Sequence, residues 1–141
     1  MTITTTTHLN FRGQARDALE FYHSVFGGHL LAISYADAQR TDTENPHDIV
    51  FGSVTSDDGF RVMAYDVQPH KHFDPGTIPV YVSVRGTDAA GITGYWEKLA
   101  VGSTVLEPLA PSQWSPLYGM LTDPFGVTWV LDVEVAWPAA E

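Results

Sequence analysis

The chain of 141 residues has room for one domain or for two small modules sharing a core, and its 44% hydrophobic and 17% charged content excludes a disordered polymer. Seven Lys and Arg against 17 Asp and Glu leave a formal charge of −10, with the basic residues scattered, which excludes binding to nucleic acid or an anionic membrane by counterion release. The absence of cysteine excludes disulfides, thiolate metal sites and cysteine nucleophiles.

The start, MTITTTTHLNF, has no basic segment followed by an apolar one, and no 18-residue apolar stretch follows, so a soluble cytoplasmic protein is expected. Ile3 to Arg12 reads as a strand rich in β-branched residues, with Gly13 as punctuation. From Gln14 to Phe26, apolar residues at Ala15, Ala18, Leu19, Tyr22 and Phe26 trace one helical face, and Gly27-Gly28 stop it. His29 to Tyr35 predicts a strand and Ala36 to Pro46 a polar, acidic loop. Asp48 to Val54 and Phe60 to Val67 predict a hairpin around Asp57-Asp58-Gly59. Residues 69–79 read as a linker, giving module one at 1–68 and module two at 80–141.

The second module repeats the order: a strand at Val80 to Arg85, a helix at Asp88 to Leu99 with Thr87 or Asp88 as its N-cap and weakened by Gly91 and Gly94, a strand at Thr104 to Leu109, then Tyr118 to Thr122 and Val127 to Val135 around Asp123-Pro124-Phe125-Gly126. Two local matches support duplication. Arg12, Gly13 and Tyr22 fall on Arg85, Gly86 and Tyr95 at an offset of 73, and Asp57, Asp66 and Val67 fall on Asp123, Asp132 and Val133 at an offset of 66. Each half is therefore βαβββ. Such a half leaves one sheet face bare, so the expected architecture is α+β: paired βαβββ modules forming a curved mixed sheet, helices on the convex side, ligand on the concave side.

The stretches LNFRGQARDALEFYHSVFGG (9 to 28), GFRVMAYDV (59 to 67) and LYGMLTDPFGVTWVLDV (117 to 133) resemble the vicinal oxygen chelate superfamily, whose members include glyoxalase I, extradiol dioxygenases and bleomycin-resistance proteins. The likeness is greatest to its PhnB-like branch and covers essentially the whole chain. It implies the same paired fold, commonly as a homodimer. In metal-using members, His and Glu ligands stand near the start and end of each module. The resemblance places those positions near Thr6, Ala64, Pro79 and Val130, none of which offers a suitable donor, with His8 two residues from Thr6. No catalytic metal and no other cofactor is therefore expected. The His70-Lys71-His72 stretch between Asp66 and Asp74 reads as a solvated linker rather than a second metal site.

No G-x-S-x-G, P-loop, G-x-G-x-x-G or H-E-x-x-H motif occurs, and without a glycine-rich loop after the first strand a methyltransferase has no support. Strand alternation places His8, Asn10, Asp66, Tyr81, Ser83, Thr128 and Asp132 on the concave side, with Met63, Tyr65 and Trp129 under the helices. His8 is then the candidate acid or base. Asn10, Asp66, Tyr81, Ser83 and Thr128 are the candidate ligand anchors, and Trp114 and Tyr118 a roof over them. The preferred expectation is a homodimeric protein binding a small organic ligand, cationic or aromatic, without a metal. The alternatives are a metal-dependent glyoxalase-type lyase or isomerase or dioxygenase-like enzyme, which would need a divalent metal or His8 as its base, and a non-catalytic dimeric interaction protein.

Overall fold

The computed structural model describes residues 1–40 and 43–135; residues 41 and 42 of the acidic loop lie outside the described residues. The fold is α+β and divides into two compact units, Met1–Thr77 and Ile78–Glu141, the break falling within the segment read as a linker. Unit 1 runs β1 (Thr7–Phe11), α1 (Ala15–Phe26), β2 (His29–Ser34), β3 (Ile49–Thr55) and β4 (Arg61–Asp66). Unit 2 runs β5 (Val82–Gly86), α2 (Ala89–Leu99), β6 (Thr104–Ala110), β7 (Tyr118–Thr122) and β8 (Thr128–Val133). Each is a βαβββ unit with a four-stranded mixed sheet, ordered β1-β4-β3-β2 in one and β5-β8-β7-β6 in the other. In both, the first strand is parallel to the last and the rest are antiparallel.

Helix α1 forms because its apolar residues recur at helical spacing; Ala15, Ala18, Leu19, Tyr22, Val25 and Phe26 are all buried. That stripe lies on β2, β3 and β4, and Leu9, Val54, Val62 and Ala64 of the sheet are buried with it. The helix approaches so closely at Gly52 that a Cβ there would overlap the Leu19 side chain. Unit 2 repeats the device. Trp96 of α2 lies over Gly119, where an added Cβ would come within 2.9 Å of the indole ring.

The two helices begin differently. The Asp88 carboxylate caps α2 by accepting the amides of Ala90 (3.2 Å) and Gly91 (3.2 Å), as its position predicts. In α1 the cap residue Gln14 makes no side-chain bond. A carboxylate from the far end of the unit serves instead: Asp66 Oδ1 accepts the amides of Gly13 (2.8 Å) and Ala15 (3.0 Å). Its Oδ2 accepts the amide of Ile49 (2.9 Å), so one side chain holds α1, β3 and β4 together. Charge at this helix end is further favoured by the backbone dipoles.

The expectation that Asp66 faces a ligand cavity is thereby corrected. It is 2% exposed and lies on the helix side with Val62 and Ala64, whereas Met63 and Tyr65 lie on the uncovered side. The register of the two units also departs from the 66-residue offset that matches Asp66 with Asp132. Thr55↔Arg61 in the first hairpin has its counterpart in Thr122↔Thr128, an offset of 67 rather than 66. Because side chains alternate with a period of two, a one-residue slip exchanges the two faces of a strand.

Tyr35 is buried beside Asp66 and donates its hydroxyl to the Asp66 carbonyl at 2.7 Å. Burial raises its pKa above the ordinary 10.0, with the Tyr65 and Asp66 charges adding to the rise. The unfolded chain thus gives up this proton first. Stability is full below pH 10 and falls as the pH climbs from there through the folded-state value. Tyr35→Phe is expected to cost about 1 kcal/mol at pH 8 and to flatten the alkaline limb of a urea-midpoint profile. An unchanged alkaline limb would assign that slope to other groups.

Candidate functional site

Each sheet has a helix on one face only. On the uncovered face of unit 1, the register places His8 beside Met63 and Asn10 beside Tyr65, with Ser53 next to Met63. Burial follows the alternation predicted for β1: Leu9 and Phe11 are buried, His8 and Asn10 exposed. His8 Nδ1 stands 3.1 Å from Asn10 Oδ1, and its ring meets Tyr65 edge-on at a centroid distance of 5.2 Å. The amide oxygen can only accept. It therefore pairs with the tautomer that carries its proton on Nδ1, which leaves Nε2 with its lone pair.

On the uncovered face of unit 2, Ser83 lies beside Val130, and Arg85 beside Asp132. Val130 adjoins Met120, and Asp132 adjoins Tyr118. Arg85 Nε donates to Asp132 Oδ1 at 3.1 Å, so that carboxylate is already paired. Thr128 is on this face as expected, but it is buried and bonded to Thr122 at 2.9 Å between hydroxyl oxygens. Tyr81 precedes β5 and is 54% exposed.

Trp114 and Tyr118 meet at 5.3 Å with ring planes 77° apart and form one corner of a groove of about 460 Å³. The groove is built on β6, β7 and the turn between them; Leu106, Glu107, Pro108, Ala110, Pro111, Ser112 and Met120 complete its lining. Strand β6 is an edge strand, exposed along most of its length and interrupted by register shifts on either side of Glu107. Those shifts and its proline suit an edge, where a missing amide is tolerated. The volume falls within the few hundred Å³ typical of small-molecule sites.

The structure thus brings His8 to Asn10 in unit 1 and Trp114 to Tyr118 in unit 2. Glu107 and Met120 were missed. For Met120 the signal was present in the repeat: Phe51-Gly52-Ser53-Val54-Thr55 matches Tyr118-Gly119-Met120-Leu121-Thr122 at the offset of 67, which sets Tyr118 and Met120 on the uncovered face, whereas Glu107 follows a register shift that no local pattern announces.

The ligand positions of metal-using vicinal oxygen chelate proteins do not fit this chain. Val130 is on the correct face without a donor, and Ala64 is buried beneath α1. Its open-face neighbours, Met63 and Tyr65, supply no carboxylate. No cluster of three His, Asp or Glu side chains suited to a metal occurs among the described residues. Among those residues, too, no helix is long and apolar enough to cross a membrane.

Two βαβββ units of this order, each with a helix on one sheet face, define a protein of the glyoxalase and PhnB fold class. The chain belongs to the 3-demethylubiquinone-9 3-methyltransferase family, which it matches over residues 3–131. Among solved structures, protein PA1353 from Pseudomonas aeruginosa is 28% identical, with 94% of this chain and 98% of that one covered and a TM-score of 0.84. A PhnB protein from Bacillus cereus is 26% identical over 94% and 100% of the two chains, with a TM-score of 0.75. A glyoxalase family protein from Bacillus cereus shares the fold at 14% identity and a TM-score of 0.61, with 96% of each chain covered. None of the curated proteins compared with the chain matches it.

Proposed function

We propose that this protein binds a small organic molecule without a metal centre, and that the unit 2 groove at Trp114 and Tyr118 is its site. The observation that carries the reading is the groove itself: an apolar, aromatic-cornered recess whose lining includes a single charged side chain, Glu107. Large aromatic side chains held at an open surface supply contact area with little loss of rotamer freedom on binding. We further propose a homodimer, since Leu31 and Phe51 leave apolar surface exposed on the bare face of unit 1.

Methyl transfer, the activity in the family's name, has weaker support. A nucleotide-type methyl donor is commonly held by free amides at a strand-to-helix turn. In this chain the amides of Gly13 and Ala15 at that turn are bonded to Asp66, and those of Ala90 and Gly91 to Asp88. A second reading rests on the His8–Asn10 pair, in which the Nε2 lone pair of the exposed His8 suits a general base in a lyase or isomerase of glyoxalase type.

Thermal-shift screening against a panel of metabolites, aromatic amines, antibiotics and glutathione adducts tests the first reading. A ligand that binds the native state alone must raise the midpoint, and Trp114→Ala is expected to weaken a hit roughly tenfold or more. Uniformly flat responses would count against the ligand-binding reading. Stoichiometric metal in chelator-free protein, lost together with activity in His8→Ala, would replace it with the enzymatic one.

A further inference from the structure

Building on the groove as a ligand site, we infer that its ligand is an organic cation, a substituted ammonium on an aromatic or aliphatic body. Glu107 supplies the counter-charge, and Trp114 and Tyr118 supply the aromatic wall.

Three observations converge. First, Glu107 is the sole charged residue of the lining and has no ion-pair partner among the described residues. The other carboxylate of this face, Asp132, is neutralised by Arg85, which also reaches Glu134 at 3.9 Å. The groove therefore offers one uncommitted negative charge and no positive one. Second, rings set 77° apart present a face and an edge at a corner. A cation is drawn to an aromatic face by the ring quadrupole, and quaternary ammonium groups, which hydrogen-bond poorly to water, gain most from such a wall. Third, the chain's charge of −10 draws cations toward the protein and repels anions before any contact forms. Anionic and phosphorylated ligands meet no lysine or arginine in the lining.

Isothermal titration with benzyltrimethylammonium, its neutral isostere neopentylbenzene and the anion phenylacetate isolates the charge, since the first two differ in little else. The cation is expected to bind at least about fivefold more tightly than the isostere, with phenylacetate weakest, the preference shrinking in 0.5 M salt. Glu107→Gln keeps the groove's shape and is expected to lose most of that preference while leaving neopentylbenzene binding unchanged. Trp114→Ala is expected to weaken both. Equal affinity for the cation and the isostere, or a preference that survives Glu107→Gln, would overturn the inference while leaving the ligand-binding reading standing. Silence toward all three probes would also overturn it; the broader reading then stands or falls on the mixed panel. Probe affinity that falls as protein concentration rises would show instead that a second copy of the chain occupies the groove.

Discussion

Asp66→Ala is expected to lower the stability of unit 1 by about 3–5 kcal/mol, the largest loss from any single carboxylate in that unit. Its side chain is the acceptor for the amides of Gly13, Ala15 and Ile49, and both Ala15 and Ile49 are fully buried. Truncation leaves the Ala15 and Ile49 donors without partners in a site from which water is excluded, and each such group costs about 1–3 kcal/mol. Asp66→Asn should fall between the variant and the parent. The amide keeps one acceptor oxygen, but its NH2 must then face a backbone N–H that needs an acceptor. Urea titration followed by far-UV circular dichroism measures the loss. Every tryptophan of the chain lies in unit 2, so tryptophan emission recorded alongside tells whether that unit follows unit 1 or unfolds separately. A midpoint shift worth less than about 1 kcal/mol would show that the site relaxes to admit water, and that Asp66 is not the fastening described above.

Trp129→Ala is expected to be as damaging to unit 2, at about 3–5 kcal/mol. Trp129 is fully buried on the helix side of β8, and its indole Nε1 donates to Asp123 Oδ2 at 2.8 Å. Asp123 Oδ1 also accepts the amides of Phe125 (2.9 Å) and Val127 (3.0 Å), which ties the tight turn to the core through one side chain. Trp129→Phe separates the two contributions. It retains most of the apolar volume but removes the indole N–H that donates to the buried Asp123 carboxylate, with an expected loss of about 1–3 kcal/mol. If the phenylalanine variant proves as unstable as the alanine one, the hydrogen bond rather than the packing dominates. If both fall within about 0.5 kcal/mol of the parent, the site tolerates a cavity that close packing forbids.

The elements were largely legible from local pattern. The α1 stripe, the Asp88 cap and the Gly59 and Gly126 turns each rest on interactions within a few residues, so the sequence carries them directly. The start of β1 was overextended to Ile3, because β-branched threonines signal a strand wherever they occur, while a ladder needs a partner; β4 pairs only with Thr7 to Phe11. The faces of β1, β5 and β8 were also readable, because polar and apolar residues alternate along them. The face of β4 was not. Val62, Met63, Ala64 and Tyr65 are all apolar enough to lie under a helix, so hydrophobicity does not choose between the two parities. The parity predicted by alternation is the reverse of the one observed, which removes Asp66 as a ligand residue.

The linear chain determined, on its own, two βαβββ units, the family to which they belong, the charge of −10 and the lack of metal donors at Val130 and Ala64. These follow from short-range periodicity and composition, which survive without knowledge of distant contacts. Only the tertiary structure decided which side of β4 the helix covers, that Asp66 fastens α1 rather than meeting a ligand, and that Glu107 shares a groove with Trp114 and Tyr118. The physical reason is common to all three. A period of two says that side chains alternate but not which set is inward, and that choice is made by the element that lands on the sheet, together with the bulges that shift register along an edge strand.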